Sequence, residues 1–328
     1  MIGRIHQVLS YDNFIIMKIL ITGINGFVGS NLTKEWRGRH TLYGLDINQM
    51  PKEGVSKIFL WEKLNEIPSV DTIVHLAGKA HDTKNKSEAP EYFAVNTGLT
   101  QKIFDYFLES DARKFIFFSS VKAAADSVPG DVLTEEVVPA PVGPYGESKI
   151  RAEEYIIAKM QEPRAKTKDI YILRPCMIHG PGNKGNLNLL YKVVRKGIPW
   201  PLVAFDNRRS FCSIDTVSFV VEQLIVRDGI PSGIYQVCDD EPLSTNELIR
   251  LINESLGKKT LIWKLPKALM TAAAGVCGAL HLPLNKERLR KLTENYVVSN
   301  EKIKRALDIE KMPVSAREGM RKTLDSFR

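Results

Sequence analysis

Three residues of this chain have the types and spacing needed to move a proton at a carbinol or carbonyl oxygen. Ser120 ends an apolar run, and Tyr145 and Lys149 lie four residues apart, which places them on one face of a predicted helix. A tyrosine with a pKa near ~10 is a poor base at neutral pH, but a nearby lysine ammonium favours the phenolate. A serine hydroxyl would hold the substrate oxygen in line. Taken singly, Tyr145 could be a packed aromatic and Ser120 a strand-end cap. Beside a bound dinucleotide, Ser120, Tyr145 and Lys149 together are predicted to be the catalytic residues of a hydride-transfer reaction.

A glycine-rich turn near the N-terminus would position the redox cofactor. After the apolar run that ends at Thr22, Gly23, Gly26 and Gly29 allow, in order, a positive φ, close approach of a phosphate and packing of helix on strand. This pattern predicts a dinucleotide pyrophosphate at the N-terminus of a helix. Asp46 ends the next apolar run, where its carboxylate would bind the adenosine ribose and repel a 2′-phosphate. NAD(H) is therefore favoured over NADP(H).

These residues require an α/β fold with a doubly wound parallel sheet. Apolar runs predict strands at 14–21, 41–46, 57–60, 71–78, 114–120 and 169–174, and helices are predicted at 90–109 and 144–160. Alternation of strands and helices indicates a Rossmann-type domain at 17–175, preceded by an N-terminal extension, 1–16, without an assigned function. We expect a smaller mixed α/β substrate lobe at 176–328, with part of 211–237 returning to the first domain.

Composition narrows the function classes. The chain has 328 residues, a net charge of +8, 44% hydrophobic residues and four cysteines without a C-x-x-C pair. No metal site or disulfide framework is predicted, and a reducing cytoplasm fits best. The basic residues are spread along the chain, so a phosphate-bearing small substrate explains them better than nucleic acid does. The apolar segment 268–280 is too short to span a bilayer; it predicts a buried or partner-facing helix, with membrane-surface contact as the alternative.

The motifs in their order resemble the extended short-chain dehydrogenase/reductase family, in its nucleotide-sugar epimerase/dehydratase/reductase branch. The glycine turn and acid are followed by H-L-A-G at 75–78, S-S at 119–120 and Y-x-x-x-K at 145–149, and the resemblance extends over nearly the whole chain from Met17. It implies an NAD-dependent enzyme that forms a homodimer through helices 90–109 and 144–160. The implied NAD contacts are Gly23, Asn25, Gly26, Phe27, Val28, Gly29, Asp46, Ile47, Leu76, Ala77, Gly78, Asn96, Ser119, Tyr145, Lys149 and Pro175.

The resemblance also implies a UDP-sugar substrate. Arg209 begins a stretch similar to the family's R-x-F segment, whose arginine clamps the nucleotide pyrophosphate; otherwise Arg209 is a solvated surface arginine. The implied substrate contacts are His81, Lys122, Met177, Asn186, Arg209 and Arg288. His81 and Lys122 could equally be exposed or hydrogen-bonded loop residues.

Departures from the family pattern narrow the chemistry. Sugar 4,6-dehydratases carry an Asp-Glu pair where this chain has Val121 and Lys122, so dehydration is not expected. Met177 replaces a sugar-contacting asparagine that many epimerases and dehydratases have. The run from Ser119 to Lys122 resembles bacterial enzymes of surface polysaccharide synthesis that reduce UDP-4-keto-6-deoxy-N-acetylhexosamines, and which are often labelled UDP-glucose 4-epimerases.

The sequence therefore predicts C4 reduction of such a UDP-4-keto sugar. The first alternative is a 4-epimerase of UDP-hexose or UDP-N-acetylhexosamine that retains a tightly bound NAD. The second alternative is a non-catalytic nucleotide-binding sensor, although a sensor has no need of Ser120, Tyr145 and Lys149 together.

Overall fold

A computed structural model describes most of the chain. The described residues are 15–79, 88–183, 185–197, 199–260, 263, 265–272 and 286–328. Three of the sequence predictions fall outside them in whole or in part: the extension up to residue 14, His81, and residues 273–280 of the apolar segment. The side chain of Arg288 is also outside the described part, although its backbone belongs to a helix.

The main sheet has seven strands, all parallel, in the order β3-β2-β1-β4-β5-β6-β9. The strands of the chain are β1 Lys18–Thr22, β2 Thr41–Leu45, β3 Lys57–Phe59, β4 Thr72–His75, β5 Lys114–Phe118, β6 Asp169–Pro175, β7 Met177–His179, β8 Phe211–Ser213 and β9 Gly233–Val237. The predicted Rossmann-type α/β fold is confirmed. The last strand, β9, joins the sheet beside β6, while β7 and β8 form a separate two-stranded sheet.

Helices connect these strands on both faces of the sheet. They are α1 Phe27–Trp36, α2 Ala89–Tyr92, α3 Leu99–Glu109, α4 Val121–Ala124, α5 Gly143–Lys159, α6 Asn186–Arg195, α7 Ile214–Val226, α8 Thr245–Ser255, α9 Lys286–Thr293, α10 Glu301–Ala306 and α11 Ala316–Asp325. The helix predicted at 90–109 is interrupted: a π-helical turn, Phe93–Gly98, lies between α2 and α3. Such turns are frequent at functional sites.

The central strands are buried on both faces, which explains their continuous apolar runs. Ile19 and Ile21 pack in the core beneath α1 and α7, whereas Leu20 packs on the opposite face with α3 and α5. A third core, formed mainly by α6, α8 and α11, supports the C-terminal part of the chain. The loops at the carboxyl ends of the strands thus project from a sheet whose central strands are packed on both faces.

The carboxyl ends of the strands gather the predicted site residues at one edge. The turn after β1, Asp46 after β2, the 76–78 segment after β4 and Ser120 after β5 all lie there. Because β1 is flanked by β2 and β4, the chain switches direction across the sheet at this point, where α/β proteins bind ligands. Among the described residues, no helix is long and apolar enough to cross a membrane.

Candidate active site

The glycine turn leaves no room for side chains. Gly23 has φ +67°, and a Cβ there would lie 2.8 Å from the backbone of Ala77. A Cβ on Gly29 would lie 2.6 Å from the carbonyl oxygen of Gly23. Gly26, the N-cap residue of α1, has extended dihedrals and no side chain to cap the helix, so the first N–H groups of the helix are not satisfied by a side-chain cap. This geometry suits a phosphate at the positive end of the helix dipole.

Asp46 faces this turn. Its Oδ2 accepts a hydrogen bond from the Asn25 backbone N–H at 3.0 Å, and its Oδ1 accepts one from the Ile47 N–H at 2.8 Å. Lys52, which sequence reasoning missed, donates from Nζ to the Ile24 carbonyl at 2.5 Å and to the Ser30 hydroxyl at 2.9 Å. Burial lowers the pKa of Lys52, and the Asp46 carboxylate opposes that shift. The loop after β2 is thereby fixed to the glycine turn.

A hydrogen-bonded chain beneath the turn fixes the end of β4. The Ala77 N–H donates to Thr22 Oγ1 at 3.0 Å, and Thr22 Oγ1 lies 2.6 Å from His75 Nδ1. On the other side, His75 Nε2 lies 2.9 Å from Thr100 Oγ1, whose own proton goes to the Asn96 carbonyl. Since the Thr100 hydroxyl is already a donor, His75 donates to it from Nε2. Burial lowers the pKa of His75 well below its usual value.

The π-helical turn brings a buried amide to the same place. Asn96 is fully buried; its Oδ1 accepts from the Lys79 N–H at 2.7 Å and its Nδ2 donates to Ser148 Oγ at 2.9 Å. A Cβ on Gly78 would lie 3.0 Å from Asn96 Oδ1 and 3.1 Å from Lys149 Nζ. We call the turn Gly23–Gly29, Asp46 and the segment Leu76–Gly78 the cofactor edge; Asn96 and Lys149 lie directly beside it.

Ser120 and Tyr145 meet at the end of β5. Ser120 is the N-cap of α4, where its hydroxyl accepts from the Lys122 N–H at 3.2 Å. Tyr145 hydrogen-bonds with Ser120, and this contact lowers the pKa of the phenol, although burial raises it by more. The two helices approach closely because residue 146 is glycine: a Cβ on Gly146 would lie 2.5 Å from the Lys122 carbonyl oxygen.

Lys149 differs from the sequence prediction in what it contacts. Its Nζ donates to the Phe118 carbonyl oxygen at 2.8 Å and lies 5.1 Å from the centre of the Phe117 ring. Burial lowers the pKa of Lys149 to about 8, and the Glu153 carboxylate counteracts the shift. The pKa of Tyr145 is raised rather than lowered in this state, so positive charge must come closer to the phenol before it can act as a base.

Two buried charged residues, Glu153 and Arg174, were not predicted from the sequence. Glu153 is fully buried and accepts hydrogen bonds from Ser119 Oγ and from Arg174, whose Nη2 lies 2.5 Å from Glu153 Oε2. The hydroxyl of Ser119, predicted to contact the cofactor, is therefore directed to Glu153 instead. A glutamate four residues after Lys149 and an arginine before Pro175 were the available signals, because charged residues within buried elements are rare.

Charged side chains from three separate segments meet on the other side of Ser120. We call Lys122, Asp126, Arg209, Glu294 and Tyr296 the substrate-side cluster. Lys122 Nζ lies 3.1 Å from Asp126 Oδ1 and 4.6 Å from the centre of the Tyr296 ring. Arg209 is partly buried, which lowers its pKa, and the nearby Glu294 carboxylate opposes the shift. The solvated-surface alternative for Arg209 therefore does not describe its position.

The other predicted residues lie around these two regions. Phe27 and Val28 are partly buried in the first turn of α1, and Pro175 is buried at the end of β6. Met177, which begins β7, is 37% exposed, and Asn186 is exposed at the start of α6.

The segment after β7 contacts the cofactor edge. Asn31 donates from Nδ2 to the Pro181 carbonyl at 3.1 Å, and a Cβ on Gly180 would lie 3.5 Å from the ring of Phe27. Cys176, Cys212 and Cys238 are buried free thiols, and no group of three His, Cys, Asp or Glu residues within the described ranges is arranged to hold a metal ion.

A family model described as "NAD dependent epimerase/dehydratase family" matches residues 19–238. The chain belongs to this family. It is 31% identical over 263 residues to the UDP-glucose 4-epimerase of Vibrio cholerae, an alignment that covers 76% of this chain and 78% of that protein. It is 25% identical over 293 residues to the N-acetyl-alpha-D-glucosaminyl-diphospho-ditrans,octacis-undecaprenol 4-epimerase of Escherichia coli O157:H7, covering 88% and 84%. Family membership makes this protein an NAD-dependent enzyme of the extended short-chain dehydrogenase type.

The same fold occurs in UDP-glucuronic acid 4-epimerase from Bacillus cereus in complex with NAD. That structure superposes with a TM-score of 0.72 over 95% of this chain and 98% of the other, at 18% identity. The residues present here fit NAD: the uncapped α1 N-terminus suits the pyrophosphate, and the acidic Asp46 suits ribose hydroxyls and rejects a 2′-phosphate. When bound, NAD supplies reversible hydride transfer.

Proposed function

We propose that this enzyme is a UDP-sugar 4-epimerase. The observation that carries the proposal is the hydrogen-bonded pair of Ser120 and Tyr145 at the strand end next to the cofactor edge. The similarity to the UDP-glucose 4-epimerase of Vibrio cholerae supports the choice of a sugar C4 as the reacting position.

In this proposal Tyr145 takes the proton from the C4 hydroxyl while Ser120 shares a hydrogen bond with the same oxygen. Forming the ketone also requires loss of the C4 hydrogen as hydride, which NAD would accept when bound. The ketone then turns its other face towards the cofactor, and return of the hydride to C4 and of the Tyr145 proton to the oxygen would give the C4 epimer. Lys149 supplies the neighbouring positive charge, and Arg209 binds the pyrophosphate of the nucleotide. Dehydration would need a further acid and base after Ser120, and the buried Val121 provides neither.

A second candidate is C4 reduction of a UDP-4-keto-6-deoxy-N-acetylhexosamine. The observation that favours it concerns Lys122. Sugar dehydratases carry a carboxylate at this position, whereas this chain has a lysine that lies beside Asp126 and Tyr296. In this reaction Tyr145 acts only as a proton donor. Ser120 and Lys149 keep the roles that they have in the epimerase proposal. The two functions differ in whether the cofactor leaves after each turnover.

The test compares sugar products with cofactor balance. Purified enzyme is incubated with UDP-glucose, UDP-N-acetylglucosamine, UDP-glucuronic acid, diphospho-undecaprenol-linked N-acetylglucosamine, or a UDP-4-keto-6-deoxy-N-acetylhexosamine with NADH. Products are assigned by proton NMR, and NAD is measured after gel filtration and acid release. An epimerase retains NAD and interconverts C4 epimers without net change in absorbance at the NADH wavelength. If NADH is consumed in an amount equal to the product formed, the reductase replaces the epimerase as the proposed function. If neither epimerisation nor NADH consumption is observed, both candidate functions are overturned.

The predicted homodimer stays a separate proposal. Helices α3 and α5 pack together, with the Tyr155 hydroxyl 2.5 Å from Asp105 Oδ1, and α5 leaves Ile157 exposed. Light scattering after gel filtration would distinguish a dimer from a monomer, and Ile157→Asp should shift a dimer towards the monomer.

A further inference from the structure

Helix α5 is joined to the end of β5 by three successive hydrogen bonds. Tyr145, Lys149 and Glu153 follow one another at intervals of four residues, so they form one stripe along the helix. The three corresponding partners are consecutive: Ser120 bonds Tyr145, the Phe118 carbonyl bonds Lys149, and Ser119 bonds Glu153. The first two contacts belong to the proposed reaction. The third has no direct role in it, yet it is the most deeply buried.

Glu153 and Arg174 neutralise each other inside the protein. Glu153 is 0% exposed and Arg174 1%. Arg174 donates from Nε to both Glu153 oxygens, at 3.0 and 3.1 Å, and from Nη2 to Oε2. Its Nη1 has no hydrogen-bond partner among the described residues, so Glu153 is the group that compensates its charge there. Arg174 lies on β6, next to β5, and the pair thus anchors α5 to two central strands.

We propose that Glu153 and Arg174 are a positioning pair that holds Lys149 at the cofactor edge and keeps its ammonium charged during the reaction. Glu153 lies one helical turn from Lys149, on the side away from Tyr145. A carboxylate at that distance favours the ammonium, whereas burial disfavours it. Arg174 fixes the position of the Glu153 carboxylate, and its positive charge limits how strongly that carboxylate stabilises the Lys149 ammonium.

The charges that face Lys149 support this assignment. Glu153, on the same helix, raises the pKa of Lys149 against the effect of burial. His75 faces it from β4, but this histidine is neutral, and the nearby Lys149 charge itself lowers the pKa of His75. Tyr145, on the same helix, is uncharged at neutral pH because burial raises its pKa. Among these groups Glu153 is therefore the one that favours the charged form of Lys149.

The proposal rests on the proposed role of Lys149 in turnover, and the pH dependence of kcat tests it. Loss of the Lys149 proton should produce the alkaline limb of the profile. Glu153→Gln removes the carboxylate and leaves Arg174 unpaired, so the limb should move to lower pH by about one unit. Adding Arg174→Met removes the uncompensated cation as well, and the limb of the double variant should lie between those of Glu153→Gln and the wild type.

Glu154 and Arg151 provide matched controls on the same helix. They form an exposed ion pair with Arg151 Nη1 3.2 Å from Glu154 Oε2, so Glu154→Gln and Arg151→Gln should leave the alkaline limb unchanged. If Glu153 and Arg174 only stabilise the fold, their variants would contain less folded enzyme in proportion to the lost stability. Both limbs of the pH profile of kcat would then stay where they are in the wild type. That result, with wild-type limbs in every folded variant, would overturn the proposal.

A second readout does not need turnover. Acetic anhydride reacts with neutral amines, so the pH dependence of Lys149 acetylation, followed by mass spectrometry with exposed Lys34 as reference, reports its protonation directly. The midpoint should fall in the order wild type, double variant, Glu153→Gln. An unchanged midpoint overturns the pair's assigned role, whereas the expected order without activity on any UDP-sugar would overturn the proposed function alone.

Discussion

Backbone atoms form most of the cofactor edge, whereas charged side chains form the substrate-side cluster. At the edge, Gly23 and Gly29 bring main-chain segments so close that a single added methyl group would overlap them. In the cluster, Lys122 and Arg209 are balanced by Asp126 and Glu294 across three segments of the chain. Side chains at these two glycine positions would overlap the main chain. We expect substrate differences between members of the family to lie in the cluster, because its charged groups belong to side chains rather than to the main chain.

The largest expected effect separates chemistry from cofactor binding. Tyr145→Phe removes the proton carrier but no atom of the cofactor edge, so kcat should fall by about 10²- to 10⁴-fold. The affinity for NAD, measured by isothermal titration calorimetry, should stay within a factor of about two, because the backbone of the glycine turn is unchanged. Tyr155→Phe on the same helix is the matched control and should retain activity. A fully active Tyr145→Phe enzyme would remove Tyr145 from the mechanism.

The next effect tests the edge itself. A Cβ at residue 29 meets backbone atoms at 2.6 to 2.9 Å, and a backbone cannot give way as a flexible side chain can. Gly29→Ala should therefore reduce the free energy of unfolding by about 1–3 kcal/mol and weaken NAD binding at least about tenfold. Gly98→Ala is the control, because its Cβ has no neighbour closer than 3.8 Å. Denaturant unfolding and calorimetry measure both changes, and unaltered NAD affinity in Gly29→Ala would contradict the steric argument.

The contrast also explains which parts could be predicted from the sequence. Each element of the cofactor edge is encoded by residues that are close in sequence, such as the three glycines, and a short pattern is enough to indicate its local conformation. The same holds for Tyr145 and Lys149, which lie beside the edge. The substrate-side cluster depends on how residues 122, 209 and 294 approach each other through tertiary packing, which no local pattern contains. The sequence prediction named Lys122 and Arg209 through family resemblance alone and missed Glu294 and Tyr296.

Glu153 and Ser119 show a different limit. The helical spacing that pairs Tyr145 with Lys149 also places Glu153 on the same stripe, but a glutamate on a helix is normally solvated. Only the position of Arg174 on the neighbouring strand makes its burial possible, and that depends on the register of β5 with β6. The family resemblance implied that Ser119 contacts the cofactor; in the structure its hydroxyl donates to Glu153.

A third prediction concerns the arginine of the substrate-side cluster. Arg209→Lys keeps the positive charge but removes the planar pair of donors that suits a pyrophosphate. The KM for the UDP-sugar should rise about tenfold with little change in kcat, because the lost contact is remote from the reacting atoms. The neighbouring Arg208 is exposed, and Arg208→Lys should leave KM unchanged. Equal KM values for Arg209→Lys and the wild type would show that the pyrophosphate lies elsewhere.

The smallest expected effect comes from Lys122, whose charge is already partly neutralised. Burial lowers its pKa, while Asp126 and Glu294 raise it, so the ammonium is shared with protein carboxylates before any substrate arrives. Lys122→Met should therefore change KM by only a few-fold, roughly 1 kcal/mol or less, and leave NAD affinity unaltered. Lys63→Met, in an exposed pair with Glu66, controls for the loss of a charge. If Lys122→Met instead changed which UDP-sugar is used, Lys122 would determine substrate specificity rather than affinity. That result would locate substrate choice within the substrate-side cluster at Lys122, while the cofactor edge stays unchanged.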